Sequence, residues 1–413
     1  MKLSICLIVK NEERVLGRCL ACAVQIAEEL IVVDTGSDDR SVEIARQYTP
    51  HVYLHPWQNS FAEARNFSYS RATGDYIMWL DADDVIIDES IARLNALKAE
   101  GTDADVILTR YGSASETGLT EYILRDRIIR RAVFTQWLYD VHEVIPMEPG
   151  WKVQYRPDIE ILHQKEYVNE PDRNIAIFTR LLEAGQPLSL FEKVNLVKEL
   201  CLHRRTDEAL RLFQEILDKV DGNGCAYALN FLVQSLLREE RWQECLEVIR
   251  QAGPHISPTA KLTYEEGLCM EELGDEEGAE SLYRQALTVE EDPYGLSIRY
   301  TGYHDYYPYL QLAKLADRRG DSREALRLID NAGRAYPKDE AWQDLRLRVL
   351  LNVQKQGSEK EPRKPADANR IRELKEKVLE IRELLQSVSP EELEELFLPE
   401  EPVLPKKTDK LRT

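Results

Sequence analysis

Two carboxylates one residue apart, with a third directly after, stand at Asp81-Ala82-Asp83-Asp84. They follow Tyr76-Ile77-Met78-Trp79-Leu80, an apolar run that reads as a buried strand. Carboxylates in that position can share a hard cation with diphosphate oxygens, because Mg2+ and Mn2+ prefer oxygen ligands. The cation would neutralise a diphosphate as it departs. An acidic surface turn is the plainer alternative for the tetrapeptide alone. Its surroundings favour a site, since Asn11-Glu12 and the stretch from Asp34 to Asp38 also follow apolar runs.

These groups need elements to hold them. Residues 3–9, 30–34, 52–54 and 76–80 read as short strands, and 12–24, 40–48 and 61–72 as helices. Ser37 or Asp38 is placed to cap the second helix. Apolar strands with intervening helices predict a mainly parallel sheet covered on both faces. Ligands bind beyond the carboxyl ends of such strands, where all three polar groups converge.

From about residue 190 to 345 the pattern becomes helix after helix. Small residues at Ala209, Cys245, Ala279 and Ala325 each precede a large one by four positions, at Phe213, Ile249, Tyr283 and Ile329. Gly267 and Ala313 take the tight-packing position on first helices, and Pro337 closes the last repeat. A period of roughly 34 residues, stretched once by an insertion around Pro293 to His304, is that of the tetratricopeptide helix pair. Such pairs bury their apolar faces only against neighbours, so they predict a curved array with a concave binding surface.

Four motifs in order, Ile5 to Glu12, Ile31 to Asp39, Phe61 to Asn66 and Leu80 to Asp84, resemble those of family 2 glycosyltransferases. The resemblance implies an α/β nucleotide-diphospho-sugar transferase fold of type A over residues 1–180. An all-α array of helix-pair repeats (190–345) would follow, and then a linker, an amphipathic helix (370–386) and a poorly ordered tail. It implies a nucleotide-sugar donor, with uridine expected, and Mg2+ or Mn2+. Asn11, Glu12 and Asp34 would surround the nucleoside, Arg65 the base and phosphates, and Asp81 the ribose. Asp83 would be the chief metal ligand. The chain departs from the pattern at Thr35, where many members carry a second acidic residue.

Val141-His142-Glu143-Val144 and Ile161-Leu162-His163 resemble two later features of the fold, a carboxylate loop over the acceptor and a metal-completing histidine. An inverting transfer needs a general base. Glu143 is the candidate and His142 the reserve, with a packed loop histidine as the alternative for His142. A transferase domain followed by helix-pair repeats is also similar to bacterial peptide glycosyltransferases of the S-glycosylating type. That likeness implies a peptide or protein acceptor and a homodimer. A polysaccharide transferase, and a repeat scaffold with a decayed catalytic domain, are the competing readings.

The net charge of −20 argues against nucleic acid and anionic membrane as partners. No run approaches the ~20 apolar residues of a membrane span, which leads to the expectation of a cytoplasmic protein. Seven scattered cysteines do not form a disulfide framework, and Cys19-x-x-Cys22 reads as small helix residues. Arg125, Arg127, Arg130 and Arg131 form a basic cluster, either near the diphosphate or on a solvated face. Trp57 and Trp137 read as packing or sugar stacking, and the tyrosines from Tyr294 to Tyr309 as packing between repeats or a peptide surface.

Overall fold

A computed structural model describes residues 1–115, 120–164, 166, 170–291 and 298–360. The chain opens β1 (Leu3–Val9), α1 (Leu16–Ala23), β2 (Glu29–Asp34), α2 (Ser41–Tyr48) and β3 (Val52–Leu54). It continues α3 (Phe61–Tyr69), β4 (Tyr76–Leu80), β5 (Asp84–Ile86) and α4 (Asp88–Glu100). Three long strands follow, β6 (Val106–Ala114), β7 (Thr120–Arg130) and β8 (Val153–His163).

Their order is β3-β2-β1-β4-β7-β6-β8-β5. The first four run parallel, as expected. Beyond them the pairings are mixed: β4 meets β7 antiparallel, β7 meets β6 antiparallel and β5 meets β8 antiparallel, while β6 and β8 run parallel. The sheet is therefore mixed rather than mainly parallel. Along β1 the alternation decides which face is buried where. Leu3, Ile5, Leu7 and Val9 join α1 and α4 on one side, while Cys6 joins Ala62 and Tyr69 of α3 on the other. Helix α2 is not capped by Ser37 or Asp38. Asp39 instead accepts the Ser41 N–H at 2.9 Å, because the Ser37 hydroxyl is taken by the Asn11 N–H.

Beyond α5 (Arg173–Glu183) the helices come in pairs: α6 (Leu190–Leu202) with α7 (Thr206–Ile216), and α8 (Gly222–Arg238) with α9 (Trp242–Ala252). The pairs α10 (Ala260–Glu272) with α11 (Glu276–Ala286) and α12 (Tyr307–Arg318) with α13 (Ser322–Ala335) follow. Ala209, Cys245, Ala279 and Ala325 are fully buried, as are Phe213, Tyr283 and Ile329 beside them. The small-then-large spacing thus marks where second helices press into the array. Gly267 shows why: a Cβ there would lie 2.7 Å from Tyr283 Cε1. Gly267→Val is expected to cost about 1–3 kcal/mol by overpacking this helix pair. Denaturant midpoints of the two proteins measure it, and an unchanged midpoint would show that Tyr283 moves aside freely.

The insertion in the last repeat has an unexpected part. Between α11 and α12, β9 (Arg299–Tyr300) leaves the helices and pairs antiparallel with Glu121 and Tyr122 of β7. Thr301 and Thr120 extend the join through hydrogen bonds. The tyrosines of the insertion pack on one another, with Tyr303 5.3 Å from Tyr264 and Tyr306 5.2 Å from Tyr307 between ring centres. Tyr294 lies outside the described residues. The last helix, α14 (Ala341–Lys360), runs into the stretch expected to be a linker, and the helix expected at 370–386 also lies outside the described residues.

Candidate active site

The carboxyl ends of β1 and β4 open into a cavity of about 990 Å³. Of the residues singled out in the sequence, Glu12, Arg65, Asp81, Asp83, His142, Glu143 and His163 line it. Asn11 and Asp34 are not among the lining residues. They build the adjoining loop: Asp34 Oδ1 accepts the Gly36 and Ser37 N–H groups, each at 3.0 Å, and Asn11 Oδ1 accepts that of Asp38 at 2.8 Å. Asn11 holds φ at +57°, a left-handed conformation that asparagine tolerates.

Arg65 is the hub. Helix α3, capped by Ser60, carries its buried guanidinium under Trp79 and Trp137, whose ring centres lie 4.6 and 5.3 Å from Cζ. Its Nε donates to Glu143 Oε1 at 2.6 Å and its Nη2 to Asp81 Oδ1 at 2.8 Å. Burial alone would lower the Arg65 pKa, but Glu143 and then Asp81 raise it. Burial likewise opposes ionisation of Asp81, yet Arg65 and then Arg127 hold its pKa down at about 2. Trp137 thus packs on the arginine, whereas Trp57 faces the cavity.

Register brings the next group together. Asp84 of β5 pairs with His163 of β8, so two residues far apart in sequence stand side by side. One ligand atom each from Asp83, Asp84 and His163 lie within 4.8 Å of one another. Asp84 is fully buried; its Oδ2 accepts from Arg127 Nη1 and from the Asp81 N–H, each at 2.9 Å. Its Oδ1 has no hydrogen-bond partner. Asp83, with Oδ1 3.4 Å from His163 Nδ1, and then Asp84, at 3.7 Å, raise the His163 pKa to about 10, and Tyr111 Oη lies 2.9 Å from Nδ1.

Two residues to which the motifs assign no role, Asp84 and Arg127, form a buried pair at the heart of the site. Arg127 is clamped between Trp79 and Tyr111, 3.6 and 3.9 Å from the ring centres, with no exposed surface. The signal was the two-residue spacing of Arg125 and Arg127, which puts both on one face of a strand. Arg130 and Arg131 instead donate to the Ala104 and Gly74 carbonyls, and of the four only Arg127 is buried, so the basic run is not a single patch. His142, at φ +56°, turns its Nε2 to Glu199 of α6 at 2.8 Å. Burial lowers its pKa.

Residues 4–162 match the family model described as glycosyl transferase family 2. The chain carries a family 2 glycosyl transferase domain. It is 31% identical over 170 residues to a TPR repeat-containing protein of Synechococcus elongatus, a match covering 39% of this chain and 42% of that one. The glycosyltransferase SunS of Bacillus subtilis is 32% identical over 90 residues, 21% of each chain. Among solved structures, residues 1–349 of S. aureus TarS in complex with UDP align at 16% identity and a TM-score of 0.33, over 72% of this chain and 96% of that one. The matched segments span well under two thirds of these two curated relatives. Behind the family 2 domain stands the helix-pair array, and no helix among the described residues is long and apolar enough to cross a membrane.

Proposed function

We propose that this protein moves a sugar from a nucleoside-diphosphate donor, with uridine as the expected base, onto a peptide or protein acceptor, inverting the anomeric carbon. The reading includes a homodimer, from the resemblance alone, and a cytoplasmic location, from the lack of an apolar run of membrane length in the sequence. The observation that carries the proposal is the shared cavity. The Asp83-Asp84-His163 cluster and Glu143 open into it from the family 2 domain, and α6 and α8 of the repeats form its other wall.

The cluster fits Mg2+ or Mn2+: it offers carboxylate oxygens and an imidazole, and Asp84 Oδ1 is a buried acceptor without a hydrogen bond. A cation held by Asp83, Asp84 and His163 would supply positive charge against the leaving diphosphate. The chain's own groups do the rest. Asp81, held by Arg65, is the ribose contact, and Glu12 faces the nucleoside, while Asn11 and Asp34 hold the adjoining loop in shape. Arg65 also fixes Glu143 through one carboxylate oxygen, which leaves the other to take the acceptor's proton as the acceptor attacks. His142 is tied to Glu199, so it positions the loop that bears Glu143.

A thermal-shift screen of nucleotide sugars with Mn2+ tests this. A true donor at about 100 times its Kd should stabilise the native state by about 2.7 kcal/mol, and nucleotide sugars of other bases should not. No shift and no hydrolysis with any donor would overturn the proposal.

A further inference from the structure

We propose that the repeat-side wall of the cavity is an acceptor subsite for an acidic peptide, in which Lys198, Lys219 and Arg173 meet carboxylates flanking the residue to be modified. This rests on the reading of the acceptor as a peptide.

One face of α6, marked by Phe191, Val194, Asn195 and Lys198 at helical spacing, lines the cavity opposite the Asp83 cluster. Tyr227 of α8 and Lys219 of the preceding turn continue it. In a chain of net charge −20, this wall carries three cations, Arg173, Lys198 and Lys219. Among the described residues none of the three forms an ion pair, whereas Lys10 across the cavity is paired with Glu170 and Lys193 on the same helix with Glu215. The wall's own Asp221 is occupied as the cap of α8, accepting the Gly224 N–H at 2.7 Å.

Aromatic rings hold two of these cations. Lys198 Nζ is 5.4 Å from the Phe231 ring centre and 5.9 Å from that of Tyr227, and Arg173 Cζ is 4.5 Å from that of Phe61. Lys198 also adjoins Glu199, the residue that anchors His142 and so the loop of Glu143. Lys198 and Glu143 line the same cavity, so an anion at Lys198 shares the space in which the acceptor must meet the proposed base. The donor's diphosphate belongs to the opposite wall, with the Asp83 cluster.

Fluorescent hexapeptides carrying Ser, Thr and Cys, flanked by Glu, Gln or Lys, would be titrated onto the full chain at low salt without donor. The Glu set should bind roughly tenfold tighter than the Gln set, the sum of a few exposed ion pairs. Lys198→Gln with Lys219→Gln should remove that preference and leave UDP affinity with Mn2+ unchanged. No preference, no peptide binding, or a preference that survives the double variant would overturn the proposal. So would a matching loss of UDP affinity, which would assign these lysines to the donor. UDP binding is read separately, so failure of the transferase reading shows as absent UDP binding in the unaltered chain.

Discussion

Asp83→Asn is expected to abolish metal-dependent donor binding while leaving the fold intact. The substitution keeps the size of the side chain and removes the one charged oxygen ligand of the cluster that faces the cavity. Asp84 is unsuited to the same test. It is fully buried against Arg127, and removing one partner of a buried ion pair costs about 3–5 kcal/mol. Asp83 is less costly to neutralise: its cationic partner His163, with Nδ1 3.4 Å away, is partly exposed and keeps Asp84 Oδ1 at 3.7 Å. The melting temperature should therefore stay close to that of the parent. Calorimetric titration of UDP in Mn2+ should show the affinity down by two orders of magnitude or more, on the scale of the several kcal/mol a bound cation supplies. Equal affinities would move the cation site elsewhere.

Glu143→Gln separates binding from chemistry. The amide oxygen of glutamine can still accept from Arg65 Nε, so the loop and the arginine keep their places. The ability to take a proton is lost. Donor binding should be unaffected and transfer should fall by about 10²- to 10⁴-fold, the usual contribution of a general base. Retained transfer would remove Glu143 from that role. His142 is then the weaker substitute, because its Nε2 already faces Glu199 and its ring is buried.

The first half of the sheet was legible because its strands are short, apolar and separated by turn residues; the expected bounds of 3–9, 52–54 and 76–80 match β1, β3 and β4. The second half was not. Strands such as Thr120–Arg130 keep no period-two alternation, because the charged run Arg125-Asp126-Arg127 interrupts their apolar residues, so local periodicity does not announce them. The same cause hid part of the site. Asp83 could be read from its motif, but the place of Asp84 beside His163 depends on the register of β5 against β8. Arg127 looked like one member of a surface run, and only the clamp between Trp79 and Tyr111 shows it to be interior. The repeats were readable because packing at Ala209, Cys245, Ala279 and Ala325 repeats the same steric demand.

The two-residue strand β9 makes this chain poorly divisible. Its partner residues in β7 lie some 180 positions earlier, as the Thr120 and Thr301 hydrogen bond records with a separation of 181. A fragment ending near residue 180 would contain every group assigned to donor chemistry, yet Glu121 and Tyr122 would face solvent with unpaired backbone groups. Open sheet edges of that kind invite intermolecular pairing. During synthesis the sheet must also wait for the third helix pair before its margin is complete, a late, long-range closure of the sort that slows folding. The repeats thus act as a chain-intrinsic seal on the catalytic sheet, and gene designs that separate the two halves should carry the strand along.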